Sequence, residues 1–304
     1  MILMEFSIDS TSPRMQQPYS QMHATTHLLG SALLFEGIAA FGNAPSAAIP
    51  AVALIAVIGC LSAYGFSLIG RVCSYTGAKS YREAWANSIS QGTSWLPAVS
   101  CTFKTSCAVL AYSMILADTS TSLLQTAGYT VARTPALLAV TSMILLPLCW
   151  MKNLSSLAPF SLLGSLGMGY TAIAMAIRYF GKAYATGGPF VVAKHLAPKF
   201  GTQGASAAAS PSVFILISML STAYMAHFNA PKFYTELKDN TIARFNTVVS
   251  SSFGIAIALF AAVASLGFLT FGSASNGLIL NNYANADGLM SLSRIAVFIS
   301  LVFS

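Results

Sequence analysis

The uninterrupted apolar runs of this chain constrain its fold more than any other feature. No charge appears from Phe200 to Ala226, and the stretch closing this run, Tyr224 to Leu237, reads YMAHFNAPKFYTEL. An apolar run that ends in His, Asn and Pro, then in charged amphipathic sequence, fits a helix leaving a bilayer into a basic loop. Hydrophobic residues make up 55% of the chain and charged residues only 8%, against about 25% charge in soluble proteins. Folded in water, the chain lacks the polar groups to cover its surface. In a bilayer, backbone groups must be satisfied within the chain, by helices or closed barrels. The runs are rich in Leu, Ile and Ala and lack the two-residue alternation of barrel strands. The expected class is therefore an all-α membrane protein.

A bilayer core takes about 20 mostly apolar residues per helix. Eight candidate spans follow: about Thr25–Gly42 (short, containing Glu36), Pro45–Gly70, Pro97–Leu123, Thr134–Trp150, Leu154–Ile177, Pro211–Asn229, Phe245–Phe271, and one starting near Asp287. The eighth is still apolar at Ser304, which predicts a shallow segment or an incomplete chain. Residues 1–23 are polar, with Pro13 and Pro18, and read as a disordered tail before a transmembrane domain over 24–304. Arg71–Trp95 reads as a short interfacial helix, Gly181–Ser210 as a flexible loop, and Gly272–Ala286 as a turn-rich loop.

The net charge of +7 would suggest nucleic acid in a soluble protein. Here Lys and Arg sit between apolar runs, so they set topology and touch anionic headgroups. Their bias between alternate loops favours an N-terminus inside. The five cysteines, Cys60, Cys73, Cys101, Cys107 and Cys149, lack zinc-ligand spacing. No metal site or cofactor is expected. Enzyme signatures are missing too: "LLGSLG" around Ser165 is not a nucleophile elbow, and there is no H-E-x-x-H or P-loop. Gly164, Gly167 and Gly169 form a small-residue face suited to helix packing.

Charges at membrane depth are functional candidates by default. Lys104 can snorkel on its long stem. Asp118 lies about 21 Å further along the helix, near the opposite face or at a functional site. Arg294 follows Asp287 by two helical turns on the same face, which suits an ion pair, a headgroup anchor or a transport role. Glu36 lies in the short first span. His227 is either a proton carrier or an interfacial residue bonded to helix carbonyls. The hydroxyls of Ser218, Ser221, Thr222 and Tyr224 either bond back to their helix or line a polar site where it unwinds.

The stretches "LSAYGFSLIGRVCSYTGAKSYREAW", "LPLCWMKNLSSLAPFSLLGSLGMGYT", "YMAHFNAPKFYTEL" and "GFLTFGSASNGLILNNYANADGLMSLSRIAVF" together resemble the amino acid/auxin permease family. The nearest branch is that of the sodium-coupled neutral amino acid transporter-like proteins, in an algal- or diatom-like version. The resemblance implies a LeuT-like bundle of two inverted five-helix repeats, here incomplete at the C-terminus. Its first and sixth helices are broken near the midplane, where freed N–H groups hold the substrate carboxylate. By position, the resemblance puts the sixth break near Ser218–Thr222, with His227 and Asn229 on the following half and Tyr112 and Ser113 facing the site. Gly30 and Ser31 are the matching positions of the first helix. That helix departs from the family's G-x-G-[IV]-L run followed by Pro: Ala32 replaces the second glycine, and no proline precedes Pro45. Ala resists the unwound backbone that Gly permits.

The function implied by the resemblance is amino acid symport driven by Na⁺ or H⁺, by a protein that is not an enzyme. The substrate-binding set is Gly30, Ser31, Tyr112, Ser113, Ser218, Ser221, Thr222 and Asn229. The ion-coupling candidates are His227, Asp118 and Glu36. The partners are an amino acid and the lipid bilayer, not nucleic acid, in a plasma membrane or a vacuolar or other endomembrane. The alternative is a non-transporting fragment, or a transporter-like sensor or receptor.

Overall fold

A computed structural model describes residues 37–150, 158–190, 198–275 and 278–302. The expected tail, Gly30, Ser31 and Glu36 lie outside these residues. Of the first expected span, residues 37–41 are described and helical.

The chain then builds α1 (Ala48–Thr76), entered through a tight turn at Pro45–Ala47. Its end is set by Gly77, whose φ of 68° lets its N–H turn back to the Cys73 carbonyl. Arg71 thus belongs to the long helix, and the interfacial piece shrinks to α2 (Tyr81–Ser88). Ser80 caps α2 by accepting from the Glu83 N–H at 3.2 Å, while Glu83 reaches back to the Lys79 N–H at 2.9 Å. This is close to a capping box. α3 spans Trp95–Thr126. α4 (Arg133–Val140) continues through one π-helical turn at Thr141–Leu145 into Leu146–Cys149. Pro147 supplies no N–H, and the wider turn just before it absorbs the fault.

α5 spans Ala158–Phe180. The sixth span is divided into α6 (Val213–Ala223) and α7 (Ala230–Glu236). α8 runs Ile242–Phe271, from the Thr241 cap to Gly272 at φ 61°. α9 runs Gly288–Val302.

Among the described residues, four segments are long and apolar enough to cross a membrane: Pro45–Thr76, Trp95–Thr126, Val213–Glu236 and Ile242–Phe271. Less than half of each such window is buried within the chain. The outward faces carry exposed Ile49, Val57, Leu61, Phe103, Leu110 and Phe214. Apolar residues on both inner and outer faces mark helices whose solvent is lipid. The architecture is that of an all-α membrane protein.

Among the described residues, two apolar cores form. In the first, α1, α6, α7 and α8 meet around Ile55, Phe66, Leu216, Leu220, Tyr224, Phe253 and Phe260. In the second, α3, α5, α9 and the end of α8 meet around Ile115, Met168, Met175, Phe271, Tyr283 and Val297. α8 belongs to both. Glycines permit the closest approaches. A Cβ on Gly59 would lie 2.5 Å from Ile257 of α8, and one on Gly70 would strike the Phe245 ring. Between α5 and α9, Gly164 faces Ser300 and Gly167 faces Ala296, but Gly169 faces open space. Of the expected glycine face, two of its three members therefore pack.

The loops are better packed than their polar composition suggests. Within Gly181–Ser210, Ala183, Tyr184 and Ala207 are buried, and Lys199 forms a parallel bridge to Gly272. Tyr184 stacks on Phe190 and meets Phe271 and Tyr283 edge-on. In the described parts of this stretch, Tyr184 and Phe190 pack on the second core.

Candidate functional site

The sixth span breaks where the regular hydrogen-bond ladder stops. The Met225 N–H reaches Thr222 at 3.2 Å, that of Ala226 reaches Tyr224 at 2.9 Å, and that of Asn229 reaches Ala226 at 3.0 Å. These bonds span three or two residues rather than four, so they cannot continue an α-helix. Pro231 then sits in the first turn of α7, where its missing N–H costs nothing. The interruption falls at residues 224–229, just after the expected Ser218–Thr222. Up to Ala223 the backbone is helical.

The broken segment is pinned to α1. The Tyr224 hydroxyl donates to the Ile55 carbonyl at 3.2 Å, and His227 Nε2 lies 3.0 Å from the Ser62 carbonyl. A carbonyl only accepts, so Nε2 carries the proton and the neutral ring keeps its lone pair on Nδ1. Gly65 makes room for this ring, since a Cβ there would lie 3.1 Å from Nε2. Phe66 packs against the same imidazole at 6.0 Å between centroids. From α3, Lys104 Nζ sits 4.5 Å over the Phe228 ring, a cation–π contact that holds a charge beside the break.

The other predicted residues are spread over the bundle. Ser218, Ser221 and Thr222 are exposed, and their hydroxyls donate to the carbonyls of Ile215, Ile217 and Ser218 at 2.8, 2.8 and 3.0 Å. Asn229 is half-buried at the start of α7 and makes no side-chain cap. Tyr112 packs against the second core, and the Ser113 hydroxyl bonds back to Leu110. Asp118 pairs with Arg133 at 2.7 Å.

A polar cluster escaped the sequence reading. Asp287 is fully buried, and its carboxylate accepts from Arg178 at 2.6 and 2.8 Å and from the Tyr184 hydroxyl at 3.0 Å. It also caps α9, accepting from the N–H groups of Leu289 and Met290 at 3.1 and 3.4 Å. Burial pushes the Tyr184 phenol well above its usual range, so it stays a hydroxyl and can donate. Of the three roles left open for Arg294, the ion pair with Asp287 is not formed. As the α9 cap, Asp287 turns its carboxylate to Arg178, and Arg294 instead donates to the carbonyls of Leu280 and Tyr283. Helical spacing placed the two on one face, but it carried no information about a partner 109 residues away.

The family model for transmembrane amino acid transporter proteins matches residues 21–304. The human protein carrying the name sodium-coupled neutral amino acid transporter 11 (Homo sapiens) is 25% identical over 159 residues, 52% of this chain and 36% of its own length. Its zebrafish namesake (Danio rerio) is 23% identical over 255 residues, 82% of this chain and 54% of its own. Amino acid transporter AVT6E of Arabidopsis thaliana is 25% identical over 169 residues, 55% of this chain and 33% of its own. The chain thus spans between about a third and about half of the length of these relatives. No solved structure matches it. With a match over nearly its whole length, the chain belongs to the transmembrane amino acid transporter protein family.

Proposed function

We propose that this chain forms part of a secondary transporter that moves amino acids across a lipid bilayer by symport with Na⁺ or H⁺. The observation that carries the reading is the interruption at residues 224–229, held against α1 inside a membrane-length segment. Irregular backbone at membrane depth is tolerated where it is buried in protein or lines a water-filled cavity. Broken helices of this kind hold substrate and coupling ion in secondary transporters, often between inverted repeats. Family membership and the relatives' printed names support an amino acid as cargo.

In this proposal Asn229, Ser218, Ser221 and Thr222 flank the interruption along the chain, and Gly30, Ser31, Tyr112 and Ser113 are the further substrate-binding candidates. His227 is the first candidate for coupling, because its Nδ1 can take a proton while Nε2 holds Ser62. Asp118 and Glu36 are further candidates. The test is uptake of radiolabelled neutral amino acids by vesicles carrying the full-length gene product. Uptake should rise when an inward Na⁺ or H⁺ gradient is imposed. Uptake indifferent to both gradients would remove symport, and saturable binding without flux would make the protein a sensor.

A further inference from the structure

Arg294 lies on α9 and is only 1% exposed. Its Nη2 donates to the carbonyls of Leu280 at 2.8 Å and Tyr283 at 2.6 Å. Nε and Nη1 are buried as well, and neither has a hydrogen-bond partner among the described residues. A guanidinium has five N–H donors in a rigid fork and does not lose its proton in proteins. A buried donor without an acceptor is costly, more so when it is charged.

The nearby acid does not satisfy it. The Asp287 carboxylate already serves Arg178, Tyr184 and two backbone N–H groups of α9. Arg178, Asp287 and Arg294 therefore place two cations against one anion. The Tyr283 ring, whose own carbonyl holds Arg294, is boxed by Tyr184 and Phe271, each 5.0 Å away. Apolar surroundings of this kind lower the local dielectric and strengthen the pull of an unmatched charge.

We propose that Arg294 anchors a site for one small monovalent anion, a halide or a carboxylate, between α9 and the turn Ile279–Asn282. The anion is held by the guanidinium donors that the two carbonyls leave unused. It balances the second cation and locks that turn onto α9. The site belongs to the second core, away from the interruption at residues 224–229.

The test needs no transport activity. Purified full-length protein in detergent is melted at constant ionic strength while chloride, or separately acetate, replaces bulky methanesulfonate. Binding to the folded state alone raises the melting temperature with saturation, and a rise of a few degrees is expected in the wild type. A response to chloride alone assigns a halide. A response to acetate, with glycine competing against chloride, assigns a carboxylate ligand. Arg294→Gln should abolish the response, and Arg294→Lys should weaken its midpoint at least tenfold. No saturable response to either anion, or an equal response in Arg294→Gln, would overturn the proposal and leave Arg294 a structural clamp. If Arg294→Gln does not fold, an Arg294→Lys midpoint equal to that of the wild type overturns it instead.

Discussion

At the scale of single residues, Asp287 holds more of this structure than any motif in its sequence suggests. One fully buried carboxylate ties α5 through Arg178, the following loop through Tyr184, and the first turn of α9. Asp287→Asn would leave Arg178 without its counter-charge. Breaking one partner of a buried pair costs about 3–5 kcal/mol, so thermal melting in detergent should show a large loss of stability. A variant that melts with the wild type would mean that water or lipid headgroups satisfy Arg178. The candidate site was only partly legible at this scale. His227 and Asn229 stood out because polar residues interrupt an apolar run. Tyr224 was visible as a hydroxyl, but its acceptor on Ile55 lies 169 positions away. Ser218, Ser221 and Thr222 illustrate the converse. Their composition suits either a site or back-bonding, and the structure shows the helix carbonyls accepting all three hydroxyls.

At the scale of elements, the contact between α1 and α8 rests on missing side chains. Gly59 lets Ile257 and the Tyr224 ring approach the α1 backbone. Gly59→Ala should therefore cost about 1–3 kcal/mol through overpacking. Ile257→Ala should recover much of that cost in the same protein, because it removes the atoms that the new methyl meets. A double-mutant cycle on melting temperature measures this coupling. Strict additivity would show that α1 and α8 adjust by moving apart. The boundary of α8 at Gly272 was readable in the sequence, whereas α1 runs on past the expected Gly70 to stop at Gly77, and Ser80 starts α2 inside the stretch read as one interfacial helix. The break in the sixth span was foreseen in kind but placed a few residues early. Its Ser/Thr positions are compatible with a helix, and the bonds to α1 help hold the backbone where it departs from one.

At the scale of the whole molecule, the outward faces of the long helices call for lipid. Cys60 on α1 and Cys107 on α3 are exposed at the protein surface. In intact vesicles a membrane-impermeant maleimide should leave both unlabelled, and denaturation in SDS should expose them. Rapid labelling before denaturation would show that these faces meet water. The amino-acid sequence by itself determined the all-α class, the membrane as solvent and the approximate positions of the four long spans, because hydropathy and length are local properties that a bilayer reads directly. Only the tertiary structure decided which charge pairs with which, where the loops are buried and how the broken helix is held. Those outcomes depend on side chains and carbonyls far apart in the chain, brought together by packing that no local pattern encodes.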